Sequence, residues 1–134
     1  MVLVDTSVWI EVFRRGAGFS LEPSIDFDEI VTCLPIIQEV LQGFRDESAF
    51  RLAHEALYAL PIVESPLGAS LFDDAIDLYR LARQAGRTVR SSVDCLIAAC
   101  ALRHDLELVH QDRDFDAIAS ISRLRSRSIR PASH

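Results

Sequence analysis

The sequence predicts an α/β fold, with a central, mostly parallel sheet covered by helices on both faces. Three observations predict it. Short apolar or β-branched runs at Met1–Val4, Glu29–Cys33 and Leu106–His110 read as buried strands. Helical periodicity begins within a few residues of each run. Strands alternating with helices require crossover connections, and crossovers make parallel sheets. The 134 residues fit one domain, residues 1–134. A chain of this length buries about two thirds of its unfolded surface and needs no disulfide or metal staple.

Met1–Val4 is a short buried strand. Ser7–Arg14 follows as a helix with Val8, Trp9, Val12 and Phe13 on one face. "RRGAGFSLEPS" is a loop, and "EIVTC" the second strand. Leu34–Phe44 is a helix with Pro35 in its first turn, where a missing N–H costs nothing. Asp46 caps a further helix that ends before Pro61, with Leu52, Ala53, Ala56, Leu57 and Leu60 expected inside. "PIVES" reads as an edge strand because it starts with proline. Ala69–Ala85 is a helix stopped by Gly86. Ser91–Arg103 is apolar almost all round and therefore a buried helix. Leu106–His110 is a strand, "QDRDFDAIAS" a loop entering a short helix, and "RLRSRSIR" a last strand at a solvated edge.

Composition excludes several chemistries. All 14 basic residues are arginine, so a P-loop lysine and Schiff-base chemistry are both absent. No G-x-G-x-x-G or G-x-S-x-G occurs. Cys33, Cys95 and Cys100 form no C-x-x-C pair, and an odd count without metal spacing fits reduced thiols in a cytoplasmic protein. No secretory signal is expected, because the first apolar run stops at Asp5. The apolar run Cys95–Leu102 is far shorter than the roughly 20 residues of a membrane span. The net charge is −6, but it is unevenly spread. Residues 1–79 carry 14 acids against 4 arginines, whereas residues 80–134 carry 6 acids against 10 arginines. A basic half could meet phosphate within an acidic protein, or be ordinary solvated surface.

In parallel sheets, ligands bind outside the carboxyl ends of the strands, so the residues that follow the strands matter most. Asp5 follows the first strand; it, Thr6 or Ser7 could equally cap the next helix. Glu39 lies one turn into the helix after the second strand, on its polar side, where a solvated glutamate is the ordinary reading. Asp94 sits in the first turn of the most apolar helix. It forms either a capping pair with Ser91 or a carboxylate that needs a charged partner. Asp112, Asp114 and Asp116 follow Leu106–His110 at alternate positions, and such crowding raises pKa values unless a cation intervenes. An EF-hand is excluded, because counting from Asp112 puts Ala117 at position 6 and Arg123 at position 12. Oxygen ligands without His or Cys suit Mg²⁺ or Mn²⁺, metals that serve phosphodiester chemistry. The histidines show no ligand spacing: His104 and His110 flank one strand, while His54 and His134 read as exposed.

Four segments together resemble the PIN-domain endoribonucleases, and in particular the VapC toxins of bacterial toxin–antitoxin pairs. They are "VDTSVWIE", "QEVLQGF", "TVRSSVDCLIAACAL" and "HQDRDFDAIA", in order along essentially the whole chain. The resemblance implies a PIN-like α/β/α sandwich and a Mg²⁺-dependent acidic site that also accepts Mn²⁺ as a substitute. Carried over residue by residue, it makes Asp5 and Asp94 the core metal ligands. Glu39 and Asp112 or Asp114 complete the catalytic set, both acids of the last segment being kept as metal ligands. Asp116 has the weakest claim, since it could cap the following helix. Thr6 or Ser7 resembles the family's hydroxyl that steadies the site or the attacking water.

The implied activity is hydrolysis of RNA by metal-activated water, leaving a 5′-phosphate and a 3′-hydroxyl. Arg87, Arg90, Arg113 and the arginines at 123, 125, 127 and 130 are candidate phosphate contacts, or simply solvated surface. The implied partners are RNA, a VapB-type antitoxin and a second copy of the chain. The antitoxin would lay an apolar helix between walls drawn from Trp9, Val12, Phe13, Leu41, Phe44 and Leu52, and present an arginine to the acids. Rival readings are an aspartyl-phosphate phosphatase, a receiver-like binding module and a non-catalytic PIN-like RNA binder. The first two want a lysine, which the chain lacks, and intact acids argue against the third.

Overall fold

The computed structural model describes residues 1–15 and 25–129. Its five strands are β1 (Val2–Val4), β2 (Ile30–Cys33), β3 (Ile62–Val63), β4 (Glu107–His110) and β5 (Ser126–Ser128). They form one sheet in the order β3-β2-β1-β4-β5, and every pairing is parallel. The helices are α1 (Thr6–Arg15), α2 (Leu34–Gln42), α3 (Glu47–Tyr58), α4 (Ala69–Gln84), α5 (Ser92–Arg103) and α6 (Arg113–Ser120). A short 3₁₀ turn, Phe27–Glu29, precedes β2 and takes the position expected for the start of that strand.

The strand order explains where a ligand would sit. From β1 the chain first winds outward through β2 and β3, then returns to build β4 and β5 on the other side. The crevice between the carboxyl ends of β1 and β4 is therefore the topological switch point of the sheet. Register fixes the two ends side by side: Val4 pairs with Val109, and the Asp5 amide donates to the Val109 carbonyl at 2.9 Å.

The three central strands are mostly apolar because both faces of the sheet are covered. Leu3, Val4, Leu108 and Val109 are fully inaccessible, and they pack with Ile36, Leu57, Leu71, Ile97 and Phe115 from the covering helices. Helix α5 runs through this core: seven of its residues, Asp94 among them, are buried. It packs against α4, with Ala99 and Leu102 beside Leu78. Asp46 caps α3 as expected, accepting from the Ala49 amide at 2.8 Å. Gly86 takes φ of 74° just past α4, the left-handed conformation that ends a helix at glycine.

Two expectations about packing fail. Leu52 is 71% exposed and Ala56 is also exposed, because α3 is covered on one narrow stripe only, by Ala53 and Leu57. The expected loop at 14–24 lies largely outside the described residues; α1 continues through Arg15. His134 and Arg130 also lie outside them. No helix among the described residues is long and apolar enough to cross a membrane.

Candidate active site

Asp5 leaves β1 as the last residue before α1, 2% exposed. Its two oxygens have different duties. Oδ2 accepts from the Ser7 amide at 3.0 Å and the Ser7 hydroxyl at 2.6 Å, so the capping role is real. Oδ1 is buried and has no partner among the described residues. Ser7 also ties two strand ends together, since its Oγ accepts from the Gln111 amide, just after β4, at 3.0 Å. The hydroxyl thus aims one aspartate oxygen and leaves the other to the crevice. Burial raises the pKa of Asp5; hydrogen bonds from Ser7 and Thr6 oppose the rise, and the nearby Glu39 charge adds to it.

Glu39 is half-buried on α2, which starts directly at the end of β2 with Pro35 in its first turn. The Thr6 hydroxyl donates to its Oε1 at 2.9 Å. Thr6 and Ser7, neighbours on one helix turn, therefore each steady a different acid.

Asp94 is 4% exposed in the first turn of α5. The capping alternative fails: the Ser91 side chain makes no cap hydrogen bond, and Asp94 Oδ2 is buried without a partner. Its pKa is pushed up to about 9, first by burial, then by a hydrogen bond with Asp114, then by the charges of Asp112, Asp5 and Asp114. At neutral pH and without a cation, this carboxyl keeps its proton.

The loop after β4 supplies the other acids. Asp112, not Asp116, caps α6: its Oδ1 accepts from the Asp114 amide at 2.9 Å. Asp116 lies inside the first turn, 63% exposed, 3.7 Å from Nε2 of His110. Asp114 is 3% exposed; its Oδ2 accepts from the amides of Arg90 and Ser91 at 2.9 and 3.1 Å, and Nε of Arg90 lies 3.5 Å from its Oδ1. Asp94, Asp112 and Asp114 each offer an oxygen, all within 4.8 Å of one another. Asp5 stands beside this trio rather than in it, close enough for its charge to raise Asp94.

The donor set fits a hard divalent cation. It is all oxygen, it is crowded with negative charge, and two buried oxygens, Asp5 Oδ1 and Asp94 Oδ2, have no partner among the described residues. Asp5, Asp94 and the loop acids are the residues that could hold it.

Sequence reasoning gave His110 no part in the site. Its ring is fully buried, and Nδ1 accepts from the Asp112 amide at 3.1 Å. That bond requires an unprotonated Nδ1. Burial lowers the pKa, which keeps the ring neutral. His110 thereby shapes the turn that carries Asp112. No signal beyond its position before the acids could have pointed to this. Among the arginines, Arg87, Arg90 and Arg113 are exposed. Arg125 and Arg127 instead pair with Asp105 and Glu107, at the amino end of β4 and away from the acids.

Similarity to known proteins follows the same lines. The profile of the PIN domain matches residues 2–121. The chain is 41% identical to Ribonuclease VapC11 of Mycobacterium tuberculosis, across 97% of this chain and 100% of that protein. Its fold is similar to one in the crystal structure of VapBC-5, a member of the VapBC family of toxin–antitoxin systems from Mycobacterium tuberculosis. There the TM-score is 0.72 at 21% identity, covering 96% of this chain and 98% of that one. A chain of VapBC2 from Rickettsia felis, bound to a promoter DNA fragment, also gives a TM-score of 0.72, at 14% identity over 97% and 100% of the two chains.

Proposed function

This chain belongs to the PIN-domain family, and on that premise we propose that residues 1–134 act as one domain, an endoribonuclease toxin that hydrolyses RNA with Mg²⁺ or Mn²⁺. The observation that carries the reading is the meeting of Asp94, Asp112 and Asp114 at the switch point, beside the unpartnered Oδ1 of Asp5. The named ribonuclease at 41% identity supports the activity.

Asp5, Asp94 and an acid of the loop after β4 hold the metal. A bound Mg²⁺ supplies charge stabilisation at the phosphoryl oxygens and a more acidic water. Ser7 keeps Asp5 aimed at the crevice by holding its Oδ2. Glu39, steadied through Oε1 by Thr6, keeps Oε2 available to accept a proton from the attacking water. The guanidinium of Arg90, 60% exposed beside Asp114, meets the substrate phosphate, with Arg87 and Arg113 as further contacts. An RNA substrate locates this work in the cytoplasm.

Two partners belong to the reading. An antitoxin of the VapB type lies in the groove between α1 and α2, a cavity of about 240 Å³ lined by Ile10, Phe13, Arg14, Val40, Gly43 and Phe44. Phe13 stands stacked on Trp9 and edge-on to Phe44 there, both ring centroids 5.8 Å away. Trp9 and Leu41 are core rather than groove wall, and Leu52 lies on α3, outside the groove lining. A second copy of the chain covers α4, where Phe72, Ile76 and Tyr79 form an exposed stripe. Beside that stripe α4 is acidic at Asp73 and Asp77 and basic at Arg80 and Arg83. An antiparallel pair of α4 helices would therefore set opposite charges together.

The test is cleavage of RNA by the purified protein. Cleavage should require Mg²⁺ or Mn²⁺ and disappear in Asp5→Asn and Asp94→Asn, with the fold retained. Full cleavage in excess EDTA would overturn the reading.

A further inference from the structure

We propose that Asp114 is a positioning residue rather than a metal ligand: its carboxylate anchors the backbone of Arg90 and Ser91, and through them sets the start of α5, which carries Asp94. The proposal rests on the reading of the acidic cluster as a metal site and divides the labour within it.

Counting acceptors separates the four aspartates. Asp5 and Asp94 each have one buried oxygen that nothing among the described residues satisfies. Asp114 has none. Its Oδ2 takes two backbone N–H groups, at 2.9 and 3.1 Å. Its Oδ1 faces Nε of Arg90 at 3.5 Å. One oxygen of this carboxylate is committed to two backbone amides and the other faces a guanidinium, so its partners are protein groups. Asp112 is different. Only its Oδ1 is engaged, by the Asp114 amide, and the residue is half-buried rather than sealed. Asp112 is therefore the loop acid with an oxygen to spare for the metal.

The two amides that Asp114 accepts also matter for the helix. Ser91 is the residue that precedes α5, and its side chain makes no cap bond. An acid 23 residues further on, in the first turn of α6, reaches back to this junction instead. It joins the chain entering α5 to the turn carrying Asp112, so Asp94 and Asp112 are set relative to each other by one carboxylate. The same bonds hold the backbone of Arg90 while its guanidinium stays at the mouth of the site.

Asparagine is the informative substitution. In Asp114→Asn the amide oxygen can still accept both N–H groups, and the NH₂ can donate to Asp94. Asp114→Ala removes every acceptor. The experiment measures amide exchange at Arg90 and Ser91 by NMR on metal-free protein, and Mn²⁺ binding by electron paramagnetic resonance, for wild type, Asp114→Asn, Asp114→Ala, Asp112→Asn and Asp94→Asn. The anchor predicts protected amides in wild type and Asp114→Asn, with exchange about tenfold or more faster in Asp114→Ala. Asp114→Asn should keep saturable Mn²⁺ binding, weakened about 10- to 100-fold, as expected for a group behind the ligands. Asp112→Asn and Asp94→Asn should lose it. Should Asp114→Asn lose Mn²⁺ as completely as Asp94→Asn while both amides stay protected, Asp114 is a ligand and the proposal is wrong. Unprotected amides in wild type would also overturn it. If Asp114→Ala does not fold, Asp114→Asn and wild type still decide. Absence of Mn²⁺ binding by wild type would instead overturn the metal-site reading, and the exchange data would still judge the anchor.

Discussion

Raising the pH of the metal-free protein from 7 to 8 should destabilise it, and Asp94→Asn should remove that dependence. Asp94 is buried among other acids and its pKa is pushed up to about 9, against 3.8 for the ordinary group. Between those values the folded state carries a proton on Asp94 that the unfolded state has released. Stability then falls as pH rises, because the folded state binds more protons. One proton corresponds to about a tenfold loss in the folding equilibrium from pH 7 to 8. For a domain of this size that is about 5 °C in melting temperature. This is an upper value, since the folded group begins to titrate as pH nears 9. His110 acts in the opposite sense: burial lowers its pKa, so its contribution is lost as pH falls below about 6.5, outside the window. Cys95, raised to about 11, adds its own loss only as unfolded thiols ionise above about pH 8. The assay is urea or thermal unfolding in EDTA at pH 7.0, 7.5 and 8.0 for wild type and Asp94→Asn, repeated with saturating Mg²⁺. Wild type alone should lose stability in EDTA, and Mg²⁺, which replaces the proton, should abolish the loss. A flat wild-type profile in EDTA, or an equal slope in Asp94→Asn, would refute the argument that burial and neighbouring acids keep Asp94 protonated.

Ser7→Ala removes the 2.6 Å bond to Asp5 and the acceptor of the Gln111 amide; it should cost about 1–3 kcal/mol in unfolding free energy and cut RNA cleavage about 10- to 100-fold. Thr6→Val removes a hydrogen bond to a carboxylate and should cost about 1–2 kcal/mol in unfolding free energy, and it should lower kcat more than it raises KM, because it frees Glu39 without touching the phosphate contacts. Phe44→Glu places a charge in the α1–α2 groove, so the purified protein should still cleave RNA while its antitoxin no longer protects cells in a growth assay. Ile76→Glu, in the middle of the exposed α4 stripe, should shift the protein from dimer to monomer in sedimentation, and a dimer unchanged by it would remove α4 from the interface.

Local pattern was enough for the architecture. Strands of three or four apolar residues followed at once by helical periodicity can be satisfied only by a parallel sheet covered on both faces, and that alternation is written in neighbouring residues. The positions of Asp5, Glu39, Asp94, Asp112 and Asp114 after strands or in first helical turns were legible for the same reason. What each acid does there was not. Asp5 caps its helix with one oxygen and leaves the other bare because Ser7 is itself held by an amide 104 residues away. Ser91 and Asp94 have the spacing of a cap pair, yet Asp114 from another helix takes the Ser91 amide. Asp112 rather than Asp116 caps α6, and Leu52 fits a helical stripe that nothing covers. Periodicity reports which face an element offers, whereas hydrogen-bond partners and burial depend on what the rest of the chain brings to that face, and those contacts exist only once the sheet has set β1 beside β4.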